Sequence, residues 1–85
     1  MKPIEVVTWV DSAGPDSWTS TLDAVAERVS VITSVGFVIF EDEEQLTLCG
    51  GIDSKHSDRH LEMVHKVICI PKVAIRSRLV ISAND

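Results

Sequence analysis

The sequence contains 85 residues, of which 45% are hydrophobic, and its 13 acidic and 8 basic side chains give a formal net charge of −5. This length predicts one domain, residues 1–85, with a thin core of the kind that small proteins often supplement by self-association. The net charge argues against general nucleic-acid binding driven by counterion release. The longest apolar run, residues 37–40, is far shorter than the roughly 20 residues of a membrane span. Residues 1–5 lack the extended apolar segment of a signal peptide, so we expect that the protein is not exported. We therefore expect a cytoplasmic protein with neither DNA nor a membrane as its partner.

The charge is divided unevenly along the chain. Residues 1–48 contain nine acids and two bases, whereas residues 49–85 contain six bases, four acids and all three histidines. This division suits complementary surfaces between subunits or a local anion site, and it is equally compatible with ordinary solvated charge. Without an export signal, Cys49 and Cys69 are predicted to be reduced.

The first third of the chain predicts a strand, a turn and a short helix. Residues 4–10 alternate between an apolar set and a mixed set, which is typical of a strand with one buried face. The apolar set is Ile4, Val6, Thr8 and Val10. After a turn at 12–17, Ser20 is the expected N-cap of a helix of two to three turns. Its apolar stripe comprises Leu22, Val25, Ala26 and Val29.

The remainder of the chain predicts four more strands. Residues 31–40 and 45–52 form a hairpin with an acidic tip at 41–44, and Gly36, Gly50 and Gly51 predict bulges or bends. Residues 60–70 fit a helix or a strand, and we favour a strand over most of them. Pro71 is expected to end that strand because it has no N–H, a tight turn follows at 71–74, and residues 75–81 form the last strand.

These elements predict a mainly β domain with one short helix, curled into a small five-stranded barrel because closure removes exposed sheet edges. Residues 70–75 (IPKVAI) resemble the end of SH3-like and Sm-like barrels, and the hairpin at 35–48 resembles their central bent hairpin.

A second resemblance covers nearly the whole chain. Residues 9–12 (WVDS), Trp18, residues 34–37 (SVGF), an acidic turn and residues 70–72 (IPK) occur in an order similar to that of short phage and prophage proteins, usually labelled hypothetical. The resemblance implies a phage origin, hence the host cytoplasm, but no settled activity. Many phage proteins of this size counter host defences, some by sequestering nucleotide second messengers in homo-oligomers, so it implies that class by analogy.

The first candidate ligand-binding residues lie at and after the end of the first strand. Trp9 is on the mixed face of that strand and Trp18 is in the following loop, where either indole can stack on a base or anchor a partner, or instead cover the end of a thin core. Asp11 and Ser12 can supply a carboxylate and a hydroxyl to a ribose or amide, or simply bond to their own backbone in a turn.

The other candidates are the cations Lys72, Arg76 and Arg78 near the end of the chain. Arg76 and Arg78 share a strand face, about 6 to 7 Å apart, a spacing that suits two phosphates. The alternative is pairing with the acidic tip at 41–44 of the same or a neighbouring subunit.

No metal or cofactor is predicted, and no catalytic motif is present. The side chains considered for a metal were Cys49, His56, Asp58, His60, His65 and Cys69. We expect a non-catalytic homo-oligomer that sequesters a small anionic ligand, a nucleotide second messenger, where its subunits meet. The alternatives are an inhibitor that binds a host defence protein through its acidic surface, and an Sm-like RNA binder.

Overall fold

The computed structural model describes residues 2–12, 14, 16–53 and 62–82. Its regular elements are β1 (Ile4–Asp11), α1 (Thr21–Ala24), β2 (Ser30–Glu41), β3 (Gln45–Cys49), β4 (Gly51–Asp53), β5 (Met63–His65), β6 (Ile68–Pro71), a 3₁₀ turn (Lys72–Ala74) and β7 (Ile75–Ser82). The mainly β class is therefore confirmed.

Five of the strands form one antiparallel sheet in the order β6-β3-β2-β1-β7, while β4 and β5 pair separately. Its two edge strands, β6 and β7, are joined only by the 3₁₀ turn. A flat sheet would hold these edges roughly 19 Å apart, whereas three residues of 3₁₀ helix span about 6 Å, so the sheet has to curl. Pairing of β6 with β7 is not seen in the described residues, and closure into a barrel stays a prediction.

The core lies inside this curl. Val7 and Trp9 of β1 pack against Leu46 and Leu48 of β3 and Ile70 of β6, all of them buried. We call this side of the sheet the inner face. The predicted burial of β1 is therefore wrong in phase, because the odd-numbered residues Glu5, Val7 and Trp9 are buried and the even-numbered ones are only half-buried.

The opposite side of β1, β2 and β7 has no layer of the described chain packed over it. Its side chains are aligned by the strand register, half-buried on β1 and exposed on β2 and β7. We call it the outer face, and it comprises Val6, Thr8, Val10, Val31, Thr33, Val35, Ser77 and Leu79.

The helix is much shorter than predicted. The Ser20 side chain caps it by accepting a hydrogen bond from the Asp23 N–H at 3.1 Å, as expected, but α1 has four residues. Leu22, Val25 and Val29 of the expected stripe are exposed. A helix of one turn is stable only with tertiary support, and residues 21–29 are all exposed.

Of the bends predicted at the glycines, the one at Gly50 is found, whereas the irregular pairing of β2 with β3 lies between Val38 and Phe40. Gly36 lies where β2 passes so close to β3 that an added Cβ would be 2.6 Å from the Cys49 carbonyl oxygen. Gly50 separates β3 from β4, and Lys66, with φ of 56°, separates β5 from β6. The segment 60–70 thus contains two short strands in its described part. Pro71 is the final residue of β6, opposite Gln45 on β3, so the strand ends at the proline as predicted.

Candidate functional site

Trp9, the first candidate, is part of the core. Its side chain lies on the inner face, the residue is only 8% exposed, and its Nε1–H donates a hydrogen bond to Ser34 Oγ on β2 at 3.0 Å. A buried indole whose N–H is satisfied fills the core and holds two strands in register. Of the two roles considered for Trp9, the structure shows the one in the core.

The candidates at and after the end of β1 do not join Trp9 in the core. Asp11 and Ser12 are exposed, and the Asp11 carboxylate accepts a hydrogen bond from the Ser12 N–H at 2.9 Å, which is the turn geometry considered above. Trp18 is fully exposed. Its indole is therefore free to contact a partner.

Lys72 and Arg78 are brought together, but by carboxylates of the same chain. Arg78 donates to both oxygens of Glu5, at 2.7 and 2.9 Å, and to both oxygens of Glu41, at 2.8 and 3.1 Å. Lys72 Nζ lies 2.6 Å from Glu41. Pairing with the acidic tip, the alternative reading of these cations, is confirmed within one chain. Four residues from β1, β2, the 3₁₀ turn and β7 thus form a charge network.

The pKa values within the network reflect these contacts. The hydrogen bonds from Arg78, and then from Lys72, lower the pKa of Glu41 from 4.5 to about 2. The hydrogen bonds to Glu5, and then to Glu41, raise the pKa of Arg78 further above its already high value. Both cations already have anionic partners, so a phosphate would have to displace a carboxylate to bind them.

Arg76 differs from its neighbour on β7. It is exposed and makes no ion pair or hydrogen bond with any residue that the structure describes. It is the candidate cation that is available to an external anion.

The acidic tip is largely used by its own turn. The Asp42 carboxylate accepts hydrogen bonds from the N–H groups of Glu44 and Gln45, both at 2.9 Å. The Glu44 carbonyl in turn accepts one from the Lys72 N–H at 2.8 Å. These contacts tie the tip of the hairpin to the 3₁₀ turn, and the side chains of Glu43 and Glu44 stay exposed.

The outer face is the feature that sequence reasoning missed. The sequence pattern assigned the even-numbered residues of β1 to the apolar, buried side and the odd-numbered residues to a mixed side. No signal in the sequence marked this face as exposed, because its valines, threonines and leucine are also the residues expected on a buried strand face.

Comparison with protein families, curated proteins and solved structures finds no match to this chain. Within the described ranges, His, Cys, Asp and Glu side chains do not gather in threes as metal ligands would. His56, Asp58 and His60 lie outside the described residues, and Cys49 and Cys69 are free thiols. No helix in the described part of the chain is long and apolar enough to cross a membrane.

Proposed function

We propose that this chain is a non-catalytic binding protein that contacts other protein surfaces through its outer face. The observation that carries the proposal is the composition of that face. In a chain with 25% charged residues, its eight side chains are all uncharged and five of them are aliphatic. Exposed apolar surface of this kind is characteristic of protein–protein contact sites.

We further propose that the fold is a small barrel of the SH3-like or Sm-like type. The strand order β6-β3-β2-β1-β7, with a 3₁₀ turn between the edge strands, supports this. The proposed phage origin and host cytoplasm rest on the sequence resemblance given above.

Sequestration of an anionic nucleotide is the second candidate function. The occupied state of Lys72 and Arg78 disfavours a site there, since each would exchange an internal carboxylate for the ligand. Arg76, which has no ion pair among the described residues, and the exposed Trp18 are available for it, because a guanidinium can bind a phosphate and an indole can stack on a base.

A photo-crosslinking experiment tests the leading proposal. The photoreactive residue p-benzoylphenylalanine is placed at Val35 on the outer face, or at Val73 on the 3₁₀ turn, which is also exposed but is not one of the residues of that face. Irradiation of cells is expected to join the Val35 variant to a protein and to leave the Val73 variant unmodified.

The same protein is titrated with cyclic and ADP-ribose-type nucleotides while amide NMR shifts are recorded. The proposal is wrong if Val35 yields no protein adduct and a nucleotide shifts the signals around Arg76 and Trp18.

A further inference from the structure

We infer that the partner of the outer face is a second copy of this chain, packed sheet against sheet about a two-fold axis. This inference rests on the proposed function and names the partner of the same surface. In a two-fold dimer the same patch serves on both subunits, so the patch has to be complementary to itself.

The first argument is the pair of apolar rows that cross the strands. Val35, Val6 and Leu79 lie side by side on β2, β1 and β7, and Val31 lies beside Val10 further along. Val35 is 58% and Leu79 62% exposed, so no part of the described chain covers them. Aliphatic side chains that stand on a sheet suit the interior of a sandwich, in which two sheets pack roughly 10 Å apart.

The second argument is the polar row between the two apolar rows. Thr33, Thr8 and Ser77 lie side by side in the register of β2, β1 and β7. A hydroxyl both donates and accepts, so this row can pair with the same row of a second copy without leaving a buried group unsatisfied. A charged partner would find no counter-charge here, whereas an identical face offers matching groups.

Sedimentation equilibrium across a dilution series tests the inference, with Val35→Lys and Leu79→Lys as outer-face variants. Val73→Lys is the matched control, since it places the same charge at an exposed valine off the face. Wild type and the control are expected to dimerise with equal affinity. Each outer-face variant is expected to dimerise at least tenfold more weakly, because a lysine would be buried in an apolar interface.

Far-UV circular dichroism and urea unfolding test whether the variants are folded. We expect them to fold, because Val35 and Leu79 are exposed and a lysine there does not disturb the core. In a sample of mixed isotope-labelled and unlabelled chains, intermolecular NOEs are expected between methyl groups of the outer face. A wild-type monomer at all concentrations, or a dimer that both outer-face variants leave intact, overturns the inference. A photo-adduct of Val35 with a different protein, in a chain that stays monomeric, overturns the inference and leaves the proposed function standing.

Discussion

Arg78 holds together parts of the chain that are far apart in sequence. Its guanidinium is bound on one side by Glu5, whose side chain is only 7% exposed, and on the other by Glu41. A carboxylate that is this deeply buried is stable only while its cation is present, so the position of Glu5 on the inner face depends on a residue 73 positions away.

We expect Arg78→Met to lower the free energy of unfolding by about 2 kcal/mol, the scale of hydrogen bonds to a charged group, because Glu5 loses its partner. The 30% exposure of the Arg78 side chain keeps the loss below that of a fully buried pair. Urea unfolding measures it. Arg76→Met removes the same charge two residues away, without breaking a described contact, and should change stability by less than about 0.5 kcal/mol. Equal midpoints for the two variants would contradict this role for Arg78.

Glu41 makes stability dependent on pH in acid. Its pKa is lowered in the folded protein from 4.5 to about 2, so the folded state binds its proton more weakly than the unfolded state does. The stabilisation is therefore complete above pH 4.5 and is lost as the pH falls toward 2. In urea titrations across this range, the Glu41→Gln variant should have a lower free energy of unfolding than wild type above pH 4.5. On acidification its free energy of unfolding should fall by less than that of wild type. Glu43 is an exposed neighbour with no ion pair in the described chain. The Glu43→Gln variant should therefore lose as much free energy of unfolding on acidification as wild type does.

At the scale of elements, the close approach of β2 to β3 depends on the missing side chain of Gly36. A Cβ there would also lie 3.2 Å from the Leu48 Cβ, so the two strands would have to separate. We expect Gly36→Ala to cost about 1 to 3 kcal/mol, as overpacking does. Gly50→Ala meets only side-chain atoms of Lys66, the nearest at 3.1 Å, and should cost less. Thermal unfolding of the two alanine variants compares them, and an equal cost would exclude a special role for the close approach at Gly36.

The segment around α1 has weak local support. Its backbone hydrogen bonds, such as Ala24 N–H to Ser20 O at 2.9 Å, are exposed, whereas residues 46–49 of β3 are buried. We expect hydrogen exchange at residues 21–26 to be near the unprotected rate, and exchange in β3 to require global unfolding. Comparable protection of both segments would mean that the exposed stripe of Leu22, Val25 and Val29 is covered in solution.

The positions of most strands could be predicted from the sequence. Which face of each strand is buried could not. Alternation and turn residues predicted β1, the β2–β3 hairpin and β7, because these depend on local pattern. The phase of β1 could not be predicted, since the burial of Glu5 requires Arg78 at the other end of the chain. At the site, Lys72 and Arg78 were selected for their charge, but only the fold shows that Glu41 binds both.

At the scale of the whole molecule, the charge sits apart from the outer face. None of the eight residues of that face carries a charge, while the chain as a whole carries −5. If the face joins two chains, added salt screens the repulsion between them and removes no attraction across the interface. We expect the dimer to be as stable or more stable at high salt, measured by sedimentation at increasing NaCl. A steep loss of affinity with salt would place the contact on the charged surfaces instead.

The pairing of β1 with β7 also determines the order in which the fold can be completed. The Glu5–Arg78 contact closes a loop of 73 residues, at an entropic cost of about 4 kcal/mol from loop length alone. During synthesis β1 leaves the ribosome first and has only β2 to pair with until the last strand emerges. Until then Glu5 remains hydrated, and one edge of the nascent sheet stays open to other chains.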